Sequence, residues 1–510
     1  MRTSSRLTFV VSIGLALLPI ASARERWITA RTEHFEMFSC ASESESREML
    51  NKLEQFRATV LATYSLPRFR DPRTTIMLFG TDRQFEPYKP LYNGKPNDVA
   101  GYCTGGPDES MIAMAADNDS EFTDEVIFHE YVHVLLAAGG EQPPPWLDEG
   151  LAEFFSTFKV QENSFELGRA KPDHVDTLRQ HAFLPLGRLF AVTHRSPEYN
   201  EGDRRDVFYA ESWALVHFMI CGKDRAIYLP RLRRFNELIA APDSAIDRSF
   251  REAFGVDYDE METRLRDAMK GGGYRIATGP LIVGDLSAKI KFQPAGDFER
   301  DVALISLRWR LQTPGDTAYR LMQLAETHPT APRPHEVLAA VAMRGQDPEG
   351  ALSHWRRAAE LGSDNPYVYM RLASDRLDQV TAGLTLDYRM PAELAATLRG
   401  WLDRAVALSP RYFEAFEALA MVEAFAEKPR LEVINRVQGM VPKMSDKTRT
   451  LFAIAIVHWR KGDFVTARQI AKLLVAAPTI SPRLRSLTQR LSKELPPTKT
   501  PYAPAAEGPP

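Results

Sequence analysis

The chain has 510 residues, room for two to four domains at about 100–200 residues each. Its 44% apolar and 26% charged residues are the mix of an ordinary soluble globular protein. A net charge of −3, with no long run of one sign, excludes the electrostatic footprint of a nucleic-acid-binding protein.

Arg2 and Arg6 precede an apolar run, Leu7–Ile20, and Ala21-Ser22-Ala23 follows it. That is the pattern of a signal peptide, residues 1–23, cut after Ala23. The run is short for a transmembrane helix, although an uncleaved anchor is the alternative. No cysteine follows the cut, so no lipid anchor is expected there. No later stretch is apolar enough to span a bilayer, and the mature chain is expected to be secreted or periplasmic. Its three cysteines, Cys40, Cys103 and Cys221, cannot form a disulfide framework and have no metal-ligand spacing.

His34–Ser39 reads as a strand, and Glu43–Ser65 as an amphipathic helix with Leu50, Leu53, Phe56 and Leu61 on one side. Thr74–Phe79 is a buried strand, and Ser110–Ala115 a second strand, either an edge strand open to an extended peptide or an ordinary one. From Thr123 to Lys270 the pattern is helical, broken at Gly139-Gly140, Pro143–Pro145 and Ser196–Asp203. Strands first and helices after predict an α+β domain over residues 24–270. Tandem helices that contact mainly their neighbours would leave it able to fold by itself. Residues 271–297, opening with Gly271-Gly272-Gly273, read as a linker or small cap.

Residues 298–495 are Ala- and Leu-rich helices separated by short turns. Asp347-Pro348-Glu349-Gly350-Ala351-Leu352 recurs loosely as Gly462-Asp463-Phe464-Val465-Thr466-Ala467, and Pro329, Pro366, Pro410 and Pro478 close the units. The pattern resembles tetratricopeptide repeats, whose unit is about 34 residues, and it breaks at Asp378–Met390. An ordinary helical domain is the alternative. The Pro-rich tail, residues 496–510, is expected to be disordered.

The chemistry concentrates in His129-Glu130-Tyr131-Val132-His133. On a helix the two histidines lie one turn apart on one face and can reach a single ion, while Glu130 lies beside it. Glu130 can there take a proton from a metal-activated water. The flanking Val126-Ile127-Phe128 and Val134-Leu135 bury the helix as a rigid platform. A zinc site of this kind needs a third protein ligand. The candidate lies in Pro145-Trp146-Leu147-Asp148-Glu149-Gly150-Leu151-Ala152-Glu153. Pro145 suits a first helical turn, Glu149 and Glu153 share a face, and Gly150 allows close approach to the histidine helix.

His-Glu-Tyr-Val-His followed by Trp-Leu-Asp-Glu-Gly-Leu-Ala-Glu resembles the gluzincin clan of zinc peptidases, above all its peptidase-MA-like domains of formerly unknown function. Phe208–Val216 resembles a further helix of those domains, and the likeness covers Trp27 to Lys270. It implies an α+β zincin-like metallopeptidase domain followed by the all-α, repeat-like one. It also implies a bound Zn2+ on His129, His133 and Glu149, with Glu130 as general base and a peptide or protein as substrate. By the same likeness Glu153, one turn after the ligand, accepts a hydrogen bond from a ligating imidazole. Spacing alone leaves Glu153 open as the ligand instead. Fifteen residues separate His133 from Glu149, fewer than in single-zinc aminopeptidases of the clan. The Gly-Ala-Met-Glu-Asn segment that anchors a free amine in those enzymes is missing too, so aminopeptidase specificity is not implied.

Tyr209 is a candidate for stabilising a tetrahedral oxyanion, or else a helix residue packed beside Trp213. His217 reads as a core histidine, and His174, His181 and His194 as exposed. Tyr131 and Val132 read as buried, and Asp148 as a first-turn acid favoured by the helix dipole. Two functions follow: an exported zinc peptidase whose helices extend binding to substrate or a protein partner, or a non-catalytic scaffold with a structural or vestigial zinc site.

Overall fold

The computed structural model describes residues 25–496, except 65, 67–72, 93, 107–108, 119, 140–142, 240–244, 271–273, 312–315, 445–446 and 478–479. The segment read as a signal peptide, Gly140, the Gly271–Gly273 cluster, Pro478 and the tail beyond Pro496 lie outside the described residues. Within them, no helix is long and apolar enough to cross a membrane.

A mixed sheet with helices on both faces makes the N-terminal half, and helices make the rest. Strand β1 (Ile28–Arg31) pairs antiparallel with β2 (Phe35–Ser39). Helix α1 (Glu43–Thr63) follows, its start fixed by Ser42, whose hydroxyl accepts from the Glu45 amide while the Glu45 carboxylate accepts from the Ser42 amide. Strand β3 (Thr74–Phe79) runs parallel to β2. Next come β4 (Gly101–Thr104) and β5 (Ser110–Ala115); β5 is parallel to β3 and antiparallel to β4. Ser110–Ala115 is therefore an interior strand, and β4 is the edge.

Alternation along these strands feeds two cores. Ile76, Leu78, Ile112 and Met114 face α1 and the helix α2 (Ser120–Ala138), where Phe56 stacks on Phe128 with ring centroids 4.2 Å apart. Met77, Phe79, Met111 and Ala113 face the other way. A sheet buried on both faces reads as continuous apolar runs, as Thr-Ile-Met-Leu-Phe does.

After α2 come α3 (Pro145–Phe155), the hairpin β6 (Lys159–Gln161) and β7 (Ser164–Leu167), α4 (Pro172–Gln180) and α5 (Gly202–Cys221). Helices α3 and α5 pack closely. A Cβ at Gly150 would lie 2.5 Å from the Ser212 carbonyl oxygen and 2.7 Å from Val216 Cγ2. The bare backbone thus admits α5, not the histidine helix that the sequence suggested.

The segment before residue 298 is packed against the first domain. Strand β8 (Ala277–Pro280) joins β7, and Arg47 and Asn51 of α1 bond the backbone at Ser287, Ile290 and Leu286. Strand β9 (Gln293–Pro294) pairs with β1. Helix α6 (Asp297–Arg310) then lays Ala303 and Leu307 on the second face of the sheet, beside Met77, Phe79 and Met111. A boundary at Lys270 would part the sheet from its cover.

Beyond α6, consecutive helices stack on their neighbours, among them α7 (Arg333–Arg344), α8 (Pro366–Thr381), α9 (Ala392–Leu408) and α10 (Phe413–Phe425). The two similar turns noted in the sequence share a device. Asp347 and Asp463 both cap the next helix, accepting from Gly350 and Thr466 amides. Gln346 and Gly462 precede them at φ 60° and 80°.

Candidate metal centre

Helix α2 presents His129 and His133 toward α3, which crosses it and presents Glu149. Nε2 of His129 lies 3.3 Å from Nε2 of His133 and 3.4 Å from Oε2 of Glu149; the third side of the triangle is 3.6 Å. A tetrahedral zinc about 2.0–2.1 Å from each donor sets donors about 3.3–3.4 Å apart, so the triangle has the right size. Oε2 of Glu149 is buried and has no hydrogen-bond partner, whereas Oε1 accepts from the Tyr199 hydroxyl at 2.6 Å. Among the described residues no other group of three such side chains converges this way.

The far side of each imidazole is held by a carboxylate. Nδ1 of His129 lies 3.3 Å from Glu153 Oε1, and Nδ1 of His133 lies 2.9 Å from Asp148 Oδ1. Asp148 is therefore more than a first-turn acid. Helix α3 begins at Pro145 and meets α2 with its first turn, which turns Asp148 toward His133. Such carboxylate–imidazole pairs fix the tautomer that leaves Nε2 free to ligate.

Glu153 is held in turn by Lys171 and by His174, whose Nε2 lies 3.0 Å from Oε2. His174 is half-buried over Trp213, not exposed as its polar surroundings suggested. Lys171, His174 and Tyr199 had no sequence signal, because nothing local marks a side chain whose partner lies on another helix.

These groups shift one another's protonation. Burial alone would lower the His129 pKa, but the carboxylates of Glu149 and Glu153 outweigh it and raise it to about 10. Burial would raise Glu149 and Glu153, yet both are held below the usual carboxylate range, Glu149 by His129 and His133 and Glu153 by His129, His174 and Lys171.

Glu130, one residue along α2, is half-buried and shares with His133 the wall of a cleft. Tyr209 packs its ring by Tyr199 and Phe208 rather than by Trp213, and burial together with the Glu149 carboxylate keeps its hydroxyl protonated. His217 is a core histidine, bonded through Nε2 to the Gly168 and Arg275 carbonyls. His181 and His194 are exposed, Tyr131 and Val132 are buried, and the three cysteines are free thiols.

Residues 125–235 match a family model described as protein of unknown function (DUF1570). The matched span holds both histidines, Glu130, Asp148, Glu149, Glu153, Tyr199 and Tyr209. No curated protein matches the chain.

Proposed function

We propose that the chain is an exported zinc-dependent peptidase of the gluzincin kind, with a zincin-like catalytic half and tetratricopeptide-like helices behind it. The observation that carries this reading is the triangle of His129, His133 and Glu149, with one buried carboxylate oxygen left unbonded inside it. Bound zinc supplies a Lewis acid that polarises a carbonyl and makes water acidic enough to ionise near neutral pH.

The rest is done by side chains. Asp148 and Glu153 hold the imidazoles in the ligating tautomer. Glu130 accepts a proton from the attacking water and returns it to the leaving amine. Tyr209 donates its hydroxyl hydrogen to the oxyanion as the carbonyl becomes tetrahedral. The edge strand β4, whose residue Cys103 is within electrostatic reach of Glu130, offers backbone groups to an extended peptide.

The test is zinc content of purified protein, followed by cleavage of a peptide library with and without a chelator. Glu130→Gln is expected to keep fold and zinc and to lower turnover by about 100-fold or more, because an amide cannot accept the proton. Near wild-type turnover in that variant would remove the mechanism. Protein that binds zinc but cleaves nothing would favour the non-catalytic scaffold.

A further inference from the structure

The cleft that Glu130 and His133 share runs between the two halves of the chain and has a volume of about 770 Å3. Its floor is made by the feet of four strands, in the order β2, β3, β5, β4. His34 stands just before β2 and Arg73 before β3, Ser110 opens β5, and Gly105 follows β4. Glu130 belongs to the β4 end, where Cys103 lies within its electrostatic reach. His34 belongs to the β2 end, three strand spacings of about 4.8 Å away, or about 14 Å.

His34 is held from behind. Glu54 of α1 is 2% exposed; one of its oxygens accepts from the His34 backbone amide at 3.1 Å, and the other lies 2.6 Å from Nδ1. Burial works to raise the Glu54 pKa, but the bonds from His34 and Thr32 hold it below the usual carboxylate range. An ionised carboxylate makes Nδ1 the donor, which fixes the ring in one tautomer and one orientation. Nε2 is then the nitrogen that can meet a ligand, and the exposed Glu33 carboxylate lies 3.8 Å from it. Two neighbouring charges on the floor are matched within the protein instead. Arg73 makes two bonds to Asp364, at 3.0 and 3.4 Å, and the buried Glu109, next to Ser110, is gripped by Arg310 and Arg333.

We infer that His34 is a second anchor for substrate, gripping the peptide main chain about four residues from the bond that Glu130 helps to cut. This rests on the peptidase reading for the chemistry at Glu130, and on the strand order and the Glu54 bonds for the anchor. At about 3.3–3.6 Å per residue, four residues span the distance. A peptide group offers an N–H and a C=O side by side, so Nε2 finds a partner there whether it accepts or donates. A contact this far from the reacting carbonyl binds ground state and transition state alike, and so acts on KM rather than on kcat. It also makes the enzyme sensitive to length, because a peptide too short to reach His34 gains nothing from it.

The test uses the full-length chain loaded with zinc and two peptides from the library it cuts, a tripeptide and a decapeptide alike around the cut bond. His34→Asn keeps a side-chain amide where Nδ1 meets Glu54 and removes Nε2. His34→Gln can place an amide where Nε2 stood. Zinc content and circular dichroism would check that site and fold persist in both. For the decapeptide, His34→Asn is expected to raise KM by about tenfold with kcat within about twofold, and His34→Gln to recover part of the loss. For the tripeptide, which spans only about 10 Å, neither substitution should change KM. An unchanged decapeptide KM in His34→Asn, or an equal rise for both peptides, would overturn the inference. Failure of the peptidase reading would look different: the parent chain would cut no peptide at all. Anisotropy of fluorescein-labelled casein, weakened by His34→Asn or not, would then still decide for or against His34.

Discussion

Glu149 and Glu423 are both buried carboxylates on helices, one in each half of the molecule, and they are satisfied in opposite ways. Glu423 takes bonds from Arg399 and Arg430 on both oxygens, and from the Arg430 amide. Its charge is matched and its lone pairs are used, the pattern of a structural ion pair. Glu149 has the Tyr199 hydroxyl on one oxygen with Tyr209 close by, two imidazoles near the other, and no arginine or lysine bonded to it among the described residues. A third case, Glu211 on α5, has no cation bonded to it among the described residues, with Arg266 acting on it only at a distance. It accepts from the Leu184 amide, and burial pushes its pKa up to about 8, so it stays protonated through neutral pH. Glu149 is held ionised by the two imidazoles, not by arginines as Glu423 is, and without the proton of Glu211. A buried carboxylate left in that condition marks a cation site better than the histidines alone do.

Substitutions can break this comparison. The largest effect is expected for Glu149→Ala, which should lose most bound zinc while Glu423→Ala keeps it; a chromogenic chelator in competition would read both. If Glu153→Ala emptied the site and Glu149→Ala left it filled, ligand and supporting carboxylate would be exchanged.

Next comes Glu211→Gln. A carboxyl whose folded pKa stands above its unfolded value of 4.5 binds its proton more tightly when folded. Stability is therefore lost as pH rises from about 4.5 to about 8, and the variant should lack that slope and gain about 5 kcal/mol at alkaline pH. Thermal melts at acidic and alkaline pH would show parallel slopes in both proteins if the carboxyl were satisfied otherwise.

Glu423→Ala should cost about 3 kcal/mol by taking the buried carboxylate away from Arg399 and Arg430, seen in urea unfolding. The smallest effects belong to Glu153→Ala and Asp148→Ala, each weakening zinc affinity by about 10–100-fold. Equal loss from the two would show that both imidazoles need their carboxylate; loss from one alone would confine the support to that histidine.

The parts of the site that could be read from the sequence are those a single helix arranges. Spacing of four residues put His129 over His133 and Glu149 over Glu153, and Pro145 began the second helix where expected. Asp148 was misjudged because its role depends on the angle at which α3 meets α2, which no local pattern encodes. Tyr199, Lys171 and His174 come from segments whose approach is fixed by burial of Trp213, Phe208 and Leu186 elsewhere. The same divide runs through the fold: buried strands announced themselves by apolar runs, but the partner of each face did not. That the region after Lys270 completes the sheet followed from two residues, Ala303 and Leu307, that look like any helical apolar pair.

The cover on the second face of the sheet also sets an order of events. Phe79 and Met111 must wait for residues about two hundred positions later, and so must Glu109 for Arg310 and Arg333. Contacts of such sequence separation form late and slowly, because a long loop has to close before they stabilise anything. While the chain is being made, that face of β3 and β5 would be covered only in part, by Trp27, Phe85, Tyr88 and Tyr102, until Leu307 has emerged. That interval is when a chaperone would be needed, and a chain stalled before it would be prone to aggregate through that face.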